Sequence, residues 1–240
     1  MRFLPAAALG AATLLLGSAP AHAQATPDGT VLRPVRALVG VNLILGVPVG
    51  ELADNIDNGF GIAGHGTYLV HDEGWLGLRF DVGAMSYGRD RVRECLTTSC
   101  LVQVDVETTH NIAYVGFGPQ LAVPDGPLRP YIGGNIGGTF FWTQSTIEGT
   151  NFENQPFAST TNNSTGTFAY GGHGGIMIPV NRGQTPVMID LGARYHVNGD
   201  ATYLTRESIE VRPNQPPLIT PIRSEADFWT IYLGVTVGIR

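Results

Sequence analysis

The stretch Ala226-Asp-Phe-Trp-Thr-Ile-Tyr-Leu-Gly-Val-Thr-Val-Gly-Ile-Arg240 decides the fold. From Trp229 every second residue is large and apolar (Trp229, Ile231, Leu233, Val235, Val237, Ile239), and the residues between are Thr230, Tyr232, Gly234, Thr236 and Gly238. Period two over this length describes one strand with one greasy face and one small or polar face, longer than the five or six residues usual in a soluble sheet. A tilted strand needs about nine to eleven residues to cross a bilayer. The spacing therefore predicts a membrane-spanning strand, which requires neighbours to satisfy its backbone.

Seven further stretches repeat the pattern. They run over residues 38–49, 60–70, 75–87, 104–123, 129–143, 167–178 and 187–197. In the first, Val39, Val41, Leu43, Leu45, Val47 and Val49 oppose Gly40, Asn42, Ile44 and Gly46; in the last, Ile189, Leu191, Ala193 and Tyr195 oppose Asp190, Gly192, Arg194 and His196. The connections alternate between long (51–58, 89–103, 144–165, 198–225) and short (71–74, 124–128, 181–184). Short turns at one end and long loops at the other, with an even strand number, predict an all-β fold: an eight-stranded antiparallel up-and-down transmembrane β-barrel over 38–240, with both termini periplasmic.

The two faces separate a membrane barrel from a soluble one. A soluble barrel keeps an apolar interior and charges its outside; here none of the apolar-face positions picked out in the strands is charged, and the charged and polar side chains at mid-strand share the opposite face. Arg79, Asp81, Asp190 and Arg194 lie there, with His65, His173, His196, Asn42 and Asn135. A basic residue on the lipid face at mid-membrane costs about 2–4 kcal/mol, which explains the exclusion. Phe60, Trp142, Phe168, Tyr170, Tyr195 and Trp229 fall near the loop ends and Tyr68 near a turn end, where interfacial aromatics are expected.

The N-terminus fits export. Met1–Ala23 has one early positive charge (Arg2), an apolar run containing Leu14-Leu15-Leu16, and Ala21-His22-Ala23 before Gln24, the layout of a signal peptide. Residues 24–37 then form a short segment ahead of the barrel. Glycine is high at 32 of 240 residues and charged residues are low at 14%, because alternating strands dilute hydrophobicity without long apolar runs. A net charge of −6, with arginine supplying every basic side chain apart from histidine, argues against nucleic acid as a partner. In an exported chain the pair Cys95 and Cys100 reads as a disulfide closing a small loop, with free thiols the alternative and no zinc site implied.

As architecture, the mature chain resembles the small OmpA-like and OmpX-like outer-membrane β-barrel proteins. The most specific element is Tyr232-x-Gly234-x-x-Val237-x-Ile239, similar to the terminal-strand signal read by the barrel assembly machinery. The resemblance implies that machinery, outer-membrane lipid and lipopolysaccharide as partners, and the cell outer membrane as location. Two departures stand out. The family signal often ends in an aromatic, whereas here Ile239 precedes Arg240, and no peptidoglycan-binding domain follows the barrel, so no cell-wall tether is expected.

Chemistry is sparse. An eight-stranded barrel is just wide enough for side chains to fill. Arg79, Asp81, Asp190 and Arg194 are therefore expected to form a buried plug, with an ion or proton path the alternative. His173, in Gly171-Gly172-His173-Gly174-Gly175, joins His65 and His196 as inward histidines, hydrogen-bonded or, alternatively, clustered on a metal. Lipid A-modifying enzymes exist on this architecture, but Ser86 and His196 fall on opposite faces. Neither a catalytic motif, a cofactor site nor a metal site is expected. The polar loops 144–165 and 198–225 are candidate surfaces for a partner or for lipopolysaccharide phosphate.

Overall fold

The computed structural model describes residues 34–95, 103–149, 156–181, 185–204, 209–210 and 218–240. Its strands are β1 (Ala37–Pro48), β2 (Gly59–Leu69), β3 (Leu76–Cys95), β4 (Gln103–Ala122), β5 (Arg129–Gly149), β6 (Pro156–Asn181), β7 (Val187–Asn198), β8 (Asp200–Tyr203), β9 (Ile209–Glu210), β10 (Leu218–Ile219), β11 (Ile222–Glu225) and β12 (Phe228–Ile239). Eight of them close a barrel in the order β1-β12-β7-β6-β5-β4-β3-β2. Every pairing in the ring is antiparallel, and the terminal strand closes it on the first, with Leu43 opposite Leu233. Closure removes the open edges that hydrocarbon cannot solvate.

Alternation sets which face each side chain takes. On β1, Val41 and Leu43 are 66% and 69% exposed while Asn42 and Ile44, which alternate with them, are buried. The same parity holds on the other barrel strands: Phe80, Val82, Ile132, Ile136, Leu191, Leu233 and Val235 face out. At about 3.3 Å per residue and a tilt near 40°, a strand of twelve residues reaches roughly 30 Å along the membrane normal, enough for the apolar band. No helix among the described residues is long and apolar enough to cross a membrane. The turn between β2 and β3 reverses through Gly74, whose φ of +75° lies in the left-handed region that glycine enters without strain.

The barrel is lopsided. β1, β2, β7 and β12 have 12, 11, 12 and 12 residues, but β3, β4, β5 and β6 have 20, 20, 21 and 26. Two expected loops are thereby corrected. Most of 89–103 is strand, with Arg91 opposite Glu107, and most of 144–165 is strand, with Ser145 opposite Thr160. These segments lose the apolar face because both of their faces leave the membrane, and so they read as loops; threonine and valine suit strands regardless. The expected loop 198–225 is corrected as well. It contains β8 paired with β11 and β9 paired with β10.

Residues 1–33 lie outside the described part, and with them the stretch expected to be a signal peptide and most of the 24–37 segment. Cys95 ends β3 and Cys100 falls in 96–102, so the expected disulfide between them also lies outside the described side chains.

Candidate functional site

The candidate site is the lumen, where inward residues of all eight barrel strands meet in three levels. At the turn end, Leu38, Leu69, Met177 and Met188 are buried together, with Val35 and Ala122 packed against the core they belong to. Ile44, Met85, Tyr87, Ile112, Phe141 and Phe228 fill the loop end. Nearly all the buried charge lies between these apolar levels, because the inward positions at mid-strand are those the sequence gives to Arg, Asp, His, Asn and Tyr.

Asp81 on β3 is the hub. Its Oδ1 accepts from Arg79 Nε at 2.9 Å and its Oδ2 meets Arg194 Nη2 at 2.5 Å, all three side chains being buried. Arg79 Nη1 also donates to Gln120 Oε1 at 3.0 Å. The two guanidinium groups lie against rings, Arg79 over Tyr131 and Tyr232 and Arg194 over Tyr114, which returns part of the solvation lost on burial. Asp81 is thus shared between two arginines, and the carboxyl group of Asp190 is buried in the same level.

Asp190 is not bridged directly to either arginine in this arrangement. Tyr131 OH donates to its Oδ1 at 2.6 Å and lies 2.8 Å from Tyr232 OH. On the other side His65 Nε2 stands 3.8 Å from Asp190 Oδ2 and 3.2 Å from Thr236 Oγ1, while His65 Nδ1 meets Asn42 Nδ2 at 3.2 Å. The four charged residues singled out in the sequence thus share one level but form two branches, an Arg79–Asp81–Arg194 ion triad and an Asp190–Tyr131–Tyr232–His65 cluster.

The three inward histidines occupy different surroundings. His196 is packed between the rings of Tyr114 and Phe228, 4.6 and 4.4 Å between centroids, with Nε2 at 3.2 Å from Thr230 Oγ1. His173 is buried against Tyr131, and neither ring nitrogen has a hydrogen-bond partner in the structure. A methyl group at Gly133 would overlap its ring, and one at Gly83 would overlap Tyr114, so these glycines make room for the large inward side chains opposite. Among the described residues, no group of three His, Cys, Asp or Glu side chains is placed to hold a metal ion. Ser86 is bonded to the carbonyls of His110 and Gly88 on the outer side of the wall, while His196 is inside it.

The loop end carries a feature the sequence reading missed. The β8–β11 pair folds inward, and Ala201, Tyr203, Leu204 and Ala226 are buried with Leu52 from the 3-10 turn Gly50–Leu52. Tyr203 OH meets Ser224 Oγ at 2.8 Å, Tyr87 OH donates to the Leu204 carbonyl at 3.2 Å, and the Asn198 amide group donates to the Ala226 carbonyl at 2.7 Å. Burial pushes the Tyr203 phenol above its ordinary pKa. The cleft between Leu52, Ile56, Met85, Tyr87, Ile112 and Phe228 has a cavity volume of about 10 Å³, room for one water. His110, also unforeseen, lies below this lid, its Nδ1 2.9 Å from Thr143 Oγ1. Its position two residues before Ile112 on the inward face was the available signal. The terminal-strand residues Tyr232 and Gly234 face the lumen, and Val237 and Ile239 face the other way; a methyl at Gly234 would overlap Asn42.

Residues 9–183 match the model of the outer membrane protein beta-barrel domain. No curated protein matches the chain. Similar solved structures include Ail, the attachment invasion locus protein of Yersinia pestis, at 11% identity and a TM-score of 0.47, covering 86% of this chain and 99% of that one. Neisserial surface protein A has 13% identity and a TM-score of 0.44, covering 85% and 97%. A major outer membrane protein from Thermus thermophilus has 11% identity and a TM-score of 0.40, covering 84% and 99%. With the family model matching more than half of this chain and the eight strands closed into a ring, this chain belongs to the outer membrane protein beta-barrel domain family and is a protein of the outer membrane.

Proposed function

We propose that the protein is a closed outer-membrane barrel with a structural or surface-interaction role, carrying neither bulk transport nor catalysis. The observation behind this reading is the lumen, in which side chains from every barrel strand meet: Asn42, His65, Arg79, Gln120, Tyr131, His173, Asp190 and Tyr232 are all buried. The length of β3–β6 supports the surface role, because the chain places its additional strand beyond the membrane rather than in a wider ring. Outer-membrane lipid and lipopolysaccharide are the proposed surroundings, and the barrel assembly machinery the proposed partner for insertion through Tyr232, Gly234, Val237 and Ile239. The separated positions of Ser86 and His196 favour no hydrolytic centre.

Purified protein reconstituted into planar bilayers is expected to show negligible conductance; large, steady channels would overturn the closed reading. Mass spectrometry of lipid A from cells with and without the gene is expected to show one acyl pattern. A changed pattern would replace the structural role with a lipid A-modifying activity.

A further inference from the structure

We infer that the lumen is held shut by its two apolar levels acting in series, and that the packed charged level between them is not itself the barrier to ions. The inference rests on the closed reading above and names the residues responsible for it.

An ion pair in a lumen is an imperfect stopper, because the groups that hold each other are also groups that can solvate an ion. The middle level has such capacity in reserve. Asn135 Oδ1, Thr139 Oγ1, Arg194 Nη1 and both ring nitrogens of His173 are buried without hydrogen-bond partners in the structure. An apolar constriction has nothing to offer an ion in place of water, and it gates by excluding water altogether. Leu38, Leu69, Met177 and Met188 form such a constriction at the turn end, each at most 9% exposed. Ile44, Met85, Ile112 and Phe141 form the second at the loop end, each at most 5% exposed, roofed by the β8–β11 lid.

The levels differ in construction. The lower has two methionines, whose unbranched side chains fill irregular gaps, and Arg129 Nη1 lies 3.3 Å from Met188 Sδ at its edge. The upper is built mainly from branched and aromatic side chains with a second layer above them. Two barriers in series conduct only when both are opened, so cutting either level alone leaves the barrel closed while exposing the charged level to one side.

The test uses the full chain with Cys95→Ser, Cys100→Ser and His173→Cys, whose new thiol reports access to the charged level. The lower level is cut with Leu38→Ala, Met177→Ala and Met188→Ala, and the upper with Ile44→Ala, Ile112→Ala and Phe141→Ala. Folding of each is checked by heat-dependent gel mobility, and a variant that does not fold is replaced by its Met188→Ala or Ile112→Ala single counterpart. A membrane-impermeant methanethiosulfonate is expected to label residue 173 from the periplasmic side only in the lower-cut protein, from the outer side only in the upper-cut protein, and from neither in the parent. Steady conductance is expected only when both cuts are combined. Arg79→Gln with Asp81→Asn, both apolar levels intact, is expected to stay closed. Conductance in that charge variant, or a combined cut that folds and remains closed and unlabelled, would overturn the inference. Channels in the unaltered protein would instead overturn the closed reading itself.

Discussion

The arc β7-β12-β1-β2 and the arc β3-β4-β5-β6 enclose the same lumen but differ in what happens above the membrane. The first is made of strands of 11 or 12 residues and stops where the apolar band ends; the second continues to as many as 26. At membrane height the two are equivalent, with apolar residues outside and interlocked polar residues inside. His65, Asp190, Arg194 and Tyr232 come from the short arc, and Arg79, Asp81, Gln120 and Tyr131 from the long one. Stability should therefore reside in the shared belt, and the projecting part of the long arc should be energetically separable from it.

The most severe way to break that division is Asp81→Ala, which leaves Arg79 and Arg194 buried without their common partner. We expect a loss of about 3–5 kcal/mol, read as a lower urea midpoint in detergent micelles by tryptophan fluorescence. Next comes Leu43→Arg on the short arc, placing a guanidinium on the lipid face in mid-membrane. Its expected cost in vesicles is about 2–4 kcal/mol, and an equal stability to the parent would mean that β1 does not face lipid. Tyr131→Phe removes the donor to Asp190 and the contact with Tyr232, links that join the two arcs. A loss of about 1–3 kcal/mol is expected in the same urea titration. The smallest effect belongs to the projecting part. Arg89 pairs with Glu107 at 3.1 Å, but its side chain is 71% exposed, so Arg89→Ala should cost about 0–1 kcal/mol. A cost for Arg89→Ala comparable to that of Tyr131→Phe would show that the upper sheet and the belt unfold as one unit.

The legibility of the chain follows the membrane. Where one face meets lipid and the other the lumen, period two is enforced along the strand, so 229–239 and its seven counterparts are legible as strands, the extended ones only in their membrane part. The strands β5 and β6 beyond Thr143 and before Thr167 lose that constraint, and a run such as Ser159-Thr160-Thr161 reads as loop although it is paired. β8 and β11 were illegible for another reason: each is four residues long, and their burial depends on a lumen that no local pattern describes.

The sequence by itself determined the strand faces, the inward position of Arg79, Asp81, Asp190 and Arg194, and the location in the outer membrane, because alternation and the exclusion of charge from lipid are local properties. Only the tertiary structure decided that Asp81 bridges two arginines while Asp190 turns to Tyr131 and His65, that apolar levels bracket them, and that β8–β11 covers the top. Those outcomes depend on the register between strands far apart in the chain, and register is set when the ring closes.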